Sequence, residues 1–457
     1  MAIKIPQTPP SKAWFFQEYS NRWAEFFSSA APSPKDYLHW EDFRHRPAPE
    51  GLKVEEWWMI QKFRREAAAR HLPGKGSDRR PFWFVSTDHI QDWQHRFERQ
   101  TGSLDITPQA INTDVNRQSY LMSALLEEAF TSSVLEGAVA TREQAQEMVR
   151  SGRPPRDRSE QMILNNYSTM RCLREWKDEP FSPDLLLRIH RSITENALDK
   201  PDAVGRLRRP DETIAVEDDI DGTIYFKPPP AESLPERMVI FTAFANEKTP
   251  DYYLHPVLRA IILHFWLAYE HPFVDGNGRT ARALFYWSML RAKYPQFEYI
   301  SISHFINKAR VEYAKTYLQV ETDENDLTYF INFHLRIIDQ AMRKLLEHIQ
   351  KKQVELEETE SRLRRLSEFN HRQQALLIHA LKNPKFRYTI QGHQKSHGVV
   401  YQTARTDLLS LVRAKLFVQH RQRARPRQFA RAAFAGKAFV FTPAPDLAEK
   451  LSGKQKP

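Results

Sequence analysis

From Ala260 to Glu270 the chain reads AIILHFWLAYE, which is apolar on nearly every face a helix could present. A helix of that kind has to be enclosed by other helices, because no side of it can be left against water. The expected fold class is therefore mainly α, a multi-helix bundle assembled round this segment. The stretch is about half the length that spans a bilayer, so no membrane partner is implied. From Asp105 to about Gln340 further helical patterns follow one another, interrupted by TIYFKPPP at Thr223 to Pro230. The prolines end that strand and bar it from the middle of a sheet, which makes a small exposed β-hairpin the expectation.

The bundle, residues 105–340, takes up about half of a chain long enough for about two to four domains. Residues 1–104 read as an accessory, mainly helical domain. There, KVEEWWMIQKFRREAAARHLPG is expected to be one amphipathic helix, with Trp57, Ile60, Phe63 and Ala67 at helical spacing and Pro73-Gly74 stopping it. GKGSDRRP then makes a loop and WFVSTDHIQDWQHRFERQTG a short strand followed by a helix, the aromatics serving as core. Residues 341–367 contain neither Gly nor Pro and alternate charge signs with leucines at near-heptad spacing, as a long exposed connecting helix does. Residues 368–457 show three helical patterns, FNHRQQALLIHAL, a segment around YTIQGHQKSHG, and VVYQTARTDLLSLVRAKL. The strand-like FVQH and AFVFTP follow, completing the plan of a winged helix-turn-helix.

Apolar residues at 41% and charged residues at 27% exclude global disorder. A single cysteine, Cys172, cannot form an internal disulfide and has no cysteine partner for a metal, which fits a reducing compartment; MAIKIPQTPPSKAW has no apolar leader region. A cytoplasmic location is the expectation. The net charge of +10 is partly gathered between Gln419 and Lys437, where six Lys or Arg and one His occur with no acidic residue. Such a strip is either a solvated surface or a face that seeks anions such as nucleic acid.

The richest chemistry lies in HPFVDGNGRTAR, His271 to Arg282, where two of the chain's 14 glycines flank an asparagine beside a histidine. The residues after it are helix-prone up to Pro295, so the GNG segment is a loop feeding a helix N-terminus, and freed backbone N–H groups there bind anions. Arg279 and Arg282 place two cations in the first turn, which the helix dipole disfavours by a few tenths of a kcal/mol each. A phosphate chain would resolve that conflict. Asp275 is a hard oxygen ligand of the kind that holds Mg2+ together with phosphates. His271 can take a proton from an attacking hydroxyl at neutral pH. Together they describe transfer of a phosphate-containing group to a hydroxyl.

The string resembles the signature of the Fic family, HPFx[D/E]GNGRxxR, at every fixed position. HPVLRAIILHFWLAYE is similar to that family's central helix, GRLRRP and TIYFKPPP to the segment and flap preceding it, and NDLTYFINFHL to a following helix. The resemblance implies a Fic-type bundle that transfers AMP from ATP, with Mg2+, to a Ser, Thr or Tyr hydroxyl of a protein. His271 would be the general base and Asp275 the Mg2+ ligand. Gly276, Asn277, Gly278 and Arg279 would bind the α and β phosphates and Arg282 the γ phosphate. The flap at Thr223, Ile224, Tyr225 and Phe226 would clamp the target by backbone pairing. Family members that transfer phosphate instead have lysine where this chain has Gly278, so the resemblance favours AMP.

About 135 residues earlier lies SSVLEGAVATREQ. By itself it is a helix end, with Ser132 and Glu136 on one face and a Thr141–Gln144 capping-box pattern starting the next helix. It is also similar to the Fic inhibitory motif, [S/T]xxxE[G/N], matched by Ser132, Glu136 and Gly137. The resemblance implies that the Glu136 carboxylate pairs with Arg282, bidentately if the geometry allows, where the γ phosphate would sit. Self-inhibition and automodification are then expected. His264 reads as a satisfied buried histidine. Tyr313 and Tyr317 follow the family's tyrosine-bearing helix near the adenine site, but Ala314 replaces one of an adjacent pair.

Two other functions stay open: removal of AMP by the same site, and a DNA-binding regulator whose Fic domain acts mainly on itself. For the latter, Gln402, Thr403 and Arg405 are the candidate groove contacts. The oligomeric state is left open between monomer and homodimer.

Overall fold

The computed structural model describes residues 4–19, 32–103, 114–217, 222–366, 368–384, 386–422 and 438–452. The first hundred residues contribute α1 (Lys12–Tyr19), α2 (Trp40–Phe43), α3 (Val54–Ala67), β1 (Ala69–Lys75), β2 (Pro81–Val85) and α4 (Asp88–Ser103). α5 (Asp114–Leu135), α6 (Arg142–Ser151), α7 (Arg158–Trp176) and α8 (Pro183–Thr194) follow, then the short strands β3 (Val216–Glu217) and β4 (Ile224–Phe226). α9 (Leu234–Ala245), α10 (Pro256–Glu270), α11 (Asn277–Arg291), α12 (Ile302–Lys308) and α13 (Arg310–Thr322) lead to α14 (Thr328–Leu366). The chain continues through α15 (His371–Lys382), β5 (Tyr388–Thr389), α16 (Ile390–His397), α17 (Tyr401–Arg413), β6 (Phe417–Gln422), β7 (Ala438–Pro443) and α18 (Leu447–Ser452). They form two compact units, Met1–Glu347 and His348–Pro457.

α10 is enclosed as its sequence demands. Pro256 opens it at the first turn, and 13 of its 15 residues are buried. Each fully buried Leu, Ile or Phe contributes roughly 1.5–3 kcal/mol. Its buried charges are matched: Arg259 donates to the Phe244 carbonyl at 2.6 Å, and Glu270 accepts from Arg237 and from Trp266 Nε1 at 2.7 Å. α11 packs along α10 and against α5, α7 and α8.

The helix expected to run to Pro73-Gly74 ends instead at Ala67. ARHLPGK becomes β1, paired antiparallel with PFWFV, from Ala69 opposite Val85 to Lys75 opposite Pro81. Pro73 and Gly74 lie in the irregular stretch between His71 and Lys75, and a β-carbon at Gly74 would stand 2.4 Å from Trp266 Cζ2. The competing strand overrides local helix propensity. The boundary placed at residue 104 does not separate compact units, because the N-terminal elements share polar and apolar core with the bundle. Phe82 meets Phe265 and Tyr269 edge-on. Lys62 pairs with Asp323 at 2.6 Å, Arg65 donates to Tyr329 Oη at 2.9 Å, and Tyr37 donates to Asp326 Oδ2 at 2.6 Å. The aromatics Phe15, Trp40, Phe43, Trp57 and Trp58 form a core cluster, as expected.

The expected connector is continuous with the helix before it. Ala341, Met342 and Leu345 are buried, so its first turns are packed rather than exposed. In the second unit β6 and β7 pair antiparallel, and a third strand not foreseen, β5, joins the outer side of β7. Leu376, Leu377, Ile390, Leu408, Leu411 and Phe441 make its core. Asp407, buried, accepts from Arg372 Nε at 2.7 Å and Asn370 Nδ2 at 2.9 Å. Most of the basic strip, residues 423–437, lies outside the described residues. No helix among the described residues is long and apolar enough to cross a membrane.

Candidate active site

The loop between α10 and α11 is shaped by three residues. His271 leaves α10 with a left-handed φ of 46°, while its N–H still donates to the Leu267 carbonyl at 3.0 Å. Asn277 staples the loop, its side-chain oxygen accepting from the Phe273 N–H and its amide donating to the Phe273 carbonyl, both at 2.9 Å. Gly276 has φ 82°, and a β-carbon there would stand 2.7 Å from Thr194 Cγ2. Only glycine makes the turn and still lets the loop lie on α8.

His271 is set up to accept a proton. Its Nδ1 lies 3.2 Å from the Ala268 carbonyl. With the proton held there, Nε2 keeps a free lone pair. Burial lowers the imidazole pKa, against the Ala268 carbonyl and the Glu136 carboxylate, which favour charge.

The first N–H groups of α11 have no partner within the helix. Above them stand two buried guanidinium groups. Arg279 donates Nη1 to the Ile193 carbonyl at 3.3 Å, but its Nε and Nη2 have no hydrogen-bond partner among the described residues. Asp275 Oδ1 is 3.7 Å from that Nη2. Leaving such donors unmatched costs about 1–3 kcal/mol per group, so this corner is built for an anion.

Part of that anion is supplied by the chain. Arg282 donates Nη2 to Glu136 Oε1 at 2.9 Å, and it also donates Nε to Ser132 Oγ at 2.8 Å and Nη2 to the Ser132 carbonyl at 2.9 Å. The pair uses one carboxylate oxygen, not two; Ser132 takes Nε and shares Nη2. Gly137, with φ 90°, turns the chain just beyond the end of α5. Although burial works against ionisation, Arg282 and Arg279 hold the Glu136 carboxyl below its ordinary pKa. A β-carbon at Gly278 would stand 2.2 Å from Glu136 Oε1, so the carboxylate lies directly over the first turn of α11.

Asp275 accepts from the Gly276 N–H at 2.5 Å through Oδ1 and faces Arg158 Nη2 at 3.3 Å through Oδ2. No cluster of three or more His, Cys, Asp or Glu that could hold a metal occurs among the described residues. Mg2+ bound with phosphates needs only one or two carboxylates, and Asp275, 41% exposed beside Arg279, fits that donor set.

The flap forms as expected, with Val216 opposite Phe226 and Glu217 opposite Ile224. Phe226 packs on Tyr269 at 4.8 Å, which seats the flap beside α10. Thr223 precedes the strand proper. His264 is buried but only half satisfied: Nε2 is 3.0 Å from Tyr313 Oη, while Nδ1 has no partner among the described residues. Tyr313 and Tyr317 share a hydroxyl contact of 3.0 Å. Gln402, Thr403 and Arg405 belong to the second unit, off the buried face of α17.

Three residues went unassigned in the sequence. Arg208 donates its N–H to the Pro272 carbonyl and Nε to the His271 carbonyl, both at 2.9 Å, and Nη2 to the Pro229 carbonyl, tying the flap base to the loop. Arg158 bridges Asp275 and Asp199. His190 stacks on Phe273 with centroids 3.7 Å apart, and burial holds its pKa down at about 4. GRLRRP pointed towards Arg208; for His190 the apolar helix LLLRIHRSI carried no signal.

Residues 180–289 match the Fic/DOC family model. A protein adenylyltransferase Fic of Nematostella vectensis is 36% identical over 119 residues, 26% of this chain and 25% of that protein. Protein adenylyltransferase fic-1 of Caenorhabditis elegans is 32% identical over 117 residues, 26% of this chain and 21% of that protein. The chain thus spans about a quarter or less of the length of these curated relatives. A crystal structure of a Fic family protein from Desulfovibrio desulfuricans G20 shares the fold, with a TM-score of 0.56 at 19% identity over 79% of this chain and 98% of that one. The loop, the two arginines and the helix pair all lie within or beside the segment that is similar to the Fic/DOC family.

Proposed function

We propose that the chain is a protein adenylyltransferase that holds itself in check. The observation carrying this reading is the Glu136 carboxylate seated on Arg282 over the first turn of α11, beside unmatched donors of Arg279. An anion cradle filled by a side chain of the same molecule is a cradle whose intended anion must displace it. In the released state, Arg279, Arg282 and the freed N–H groups of Gly278 and its neighbours receive the phosphate chain of ATP. Asp275 would hold a divalent cation, which would supply neutralisation of charge on the phosphate oxygens. His271 Nε2 takes the proton of a Ser, Thr or Tyr hydroxyl laid beside the flap. The hydroxyl oxygen bonds to the α phosphorus, and the bond from that phosphorus to the bridging oxygen breaks. Pyrophosphate leaves with the electron pair. The chain's own hydroxyls are among the substrates.

The test follows the label. With Glu136→Gly, label on the α phosphate of ATP should reach protein and label on the γ phosphate should not. Transfer of the γ label instead would overturn the adenylyl reading.

We further propose that the second unit is a winged helix-turn-helix that binds DNA. The support is the exposed face at the start of α17, where Gln402 and Arg405 stand clear of the face anchored by Ala404, Asp407 and Leu408. Retardation of duplex DNA that weakens with salt, and is lost in Gln402→Ala/Arg405→Ala, is expected. Unchanged mobility at low salt refutes it.

A further inference from the structure

His190 lies on α8, outside the motif, yet it joins two segments that meet the reaction. Its Nδ1 accepts the Gly205 N–H at 3.1 Å. A nitrogen that accepts cannot carry the proton, so the neutral ring must carry it on Nε2. That nitrogen lies 2.9 Å from the Asp275 carbonyl and donates to it. The ring plane is set by the stack on Phe273, with an interplanar angle of 5°. One helical turn further, Thr194 donates to the His190 carbonyl at 2.7 Å and presents Cγ2 to Gly276. The same wall supplies the Ile193 carbonyl that receives Arg279 Nη1.

We infer that His190 is a positioning residue for the phosphate cradle: in one fixed tautomer it clamps the Gly205 segment to the Asp275–Gly276 turn and so sets where the N–H groups of α11 point. This rests on the proposed nucleotide-binding reading of that turn. His190 touches neither the reacting hydroxyl nor the phosphorus. It acts through the backbone of Asp275, and through Gly205 on the segment whose Arg208 holds the His271 carbonyl. A fully buried ring with both nitrogens engaged has no freedom to do this in the other tautomer, which would set an N–H against the Gly205 N–H. The consequence is a division of labour: His271 moves the proton, and His190 fixes the cradle against which the phosphate chain is held.

The experiment uses the full chain with Glu136→Gly as parent and adds His190→Phe or His190→Gln. Phenylalanine keeps the stack on Phe273 and removes both hydrogen bonds; glutamine restores a donor towards Asp275. Affinity for α,β-methylene ATP by calorimetry, and kcat and KM for AMP incorporation, are compared. His190→Phe should weaken analogue binding and raise KM for ATP about tenfold or more, with kcat at saturation falling less than about threefold, and His190→Gln should recover part of the loss. Loss of kcat alone, with KM and affinity unchanged, is what a fraction of misfolded protein would give, and it overturns the positioning role. In the wild-type chain labelled with 15N-histidine, the His190 resonances, assigned by their loss in His190→Phe, should report a proton on Nε2 at pH 7.5. A proton on Nδ1 overturns it equally. Analogue binding by the parent without AMP transfer would sink the adenylyltransferase reading while the His190 comparison still stands.

Discussion

Replacing Glu136 by glycine removes the carboxylate that now occupies Arg282. The contact is a single charge-assisted hydrogen bond of 2.9 Å, with the arginine side chain 2% exposed and the glutamate 25%. Bonds to charged groups contribute about 1.5–3 kcal/mol. At about 1.4 kcal/mol per factor of ten, competition from this carboxylate would, on the proposed reading, weaken ATP binding roughly 10- to 150-fold. Glu136→Gly should therefore tighten the apparent affinity for ATP by that factor and raise AMP incorporation, read by calorimetry and by α-labelled ATP. Arg282→Ala should do the opposite, because on the proposed reading it would remove a phosphate ligand together with the partner of Glu136. The freed guanidinium also predicts that Glu136→Gly melts below wild type without nucleotide and gains more from added ATP. If Glu136→Gly incorporates no more AMP than wild type across a range of ATP concentrations, the carboxylate is only a helix-end residue and the competition argument fails.

The folded Glu136 carboxyl titrates below its ordinary value of 4.5, so its pairing stabilises fully above that value and is lost as pH falls through the folded one; the melting difference between wild type and Glu136→Gln should shrink below pH 4.5, and growth on acidification would contradict the pairing. His271→Ala should cut AMP transfer about 100- to 10,000-fold while an unreactive ATP analogue still binds, and near-wild-type transfer would remove His271 as the base. Lys62→Ala leaves the buried Asp323 with the Tyr329 hydroxyl but without its paired cation and should cost about 3–5 kcal/mol in urea unfolding; a loss under about 1 kcal/mol would mean the pair is hydrated.

The features legible in the sequence were local or periodic. AIILHFWLAYE announced an enclosed helix because every face of it is apolar, and GNG announced a turn into a helix because glycine and a helix-prone run leave few alternatives. The Thr141–Gln144 capping box appears as read. The failures were of partners remote in sequence. Nothing in ARHLPGK says that PFWFV will pull it out of the helix, and Pro73-Gly74 looked like a helix stop when Gly74 instead makes room for Trp266. His190 could not be found because its meaning lies in Gly205 and Asp275, 15 and 85 positions away. The use of one Glu136 oxygen depends on where the Ser132 carbonyl falls, which spacing alone does not give.

The hairpin of β1 and β2 puts Gly74 and Phe82 against α10, Lys62 reaches the turn between α13 and α14, and Arg65 reaches the first turn of α14. The first hundred residues are therefore a wall of the helical bundle rather than an appendage to it. Exchange of modules between genes can cut a protein only where few contacts cross, and a cut near residue 104 would bare the Trp266 ring and leave a carboxylate in oil. The compact unit runs from the N-terminal aromatics to the middle of α14.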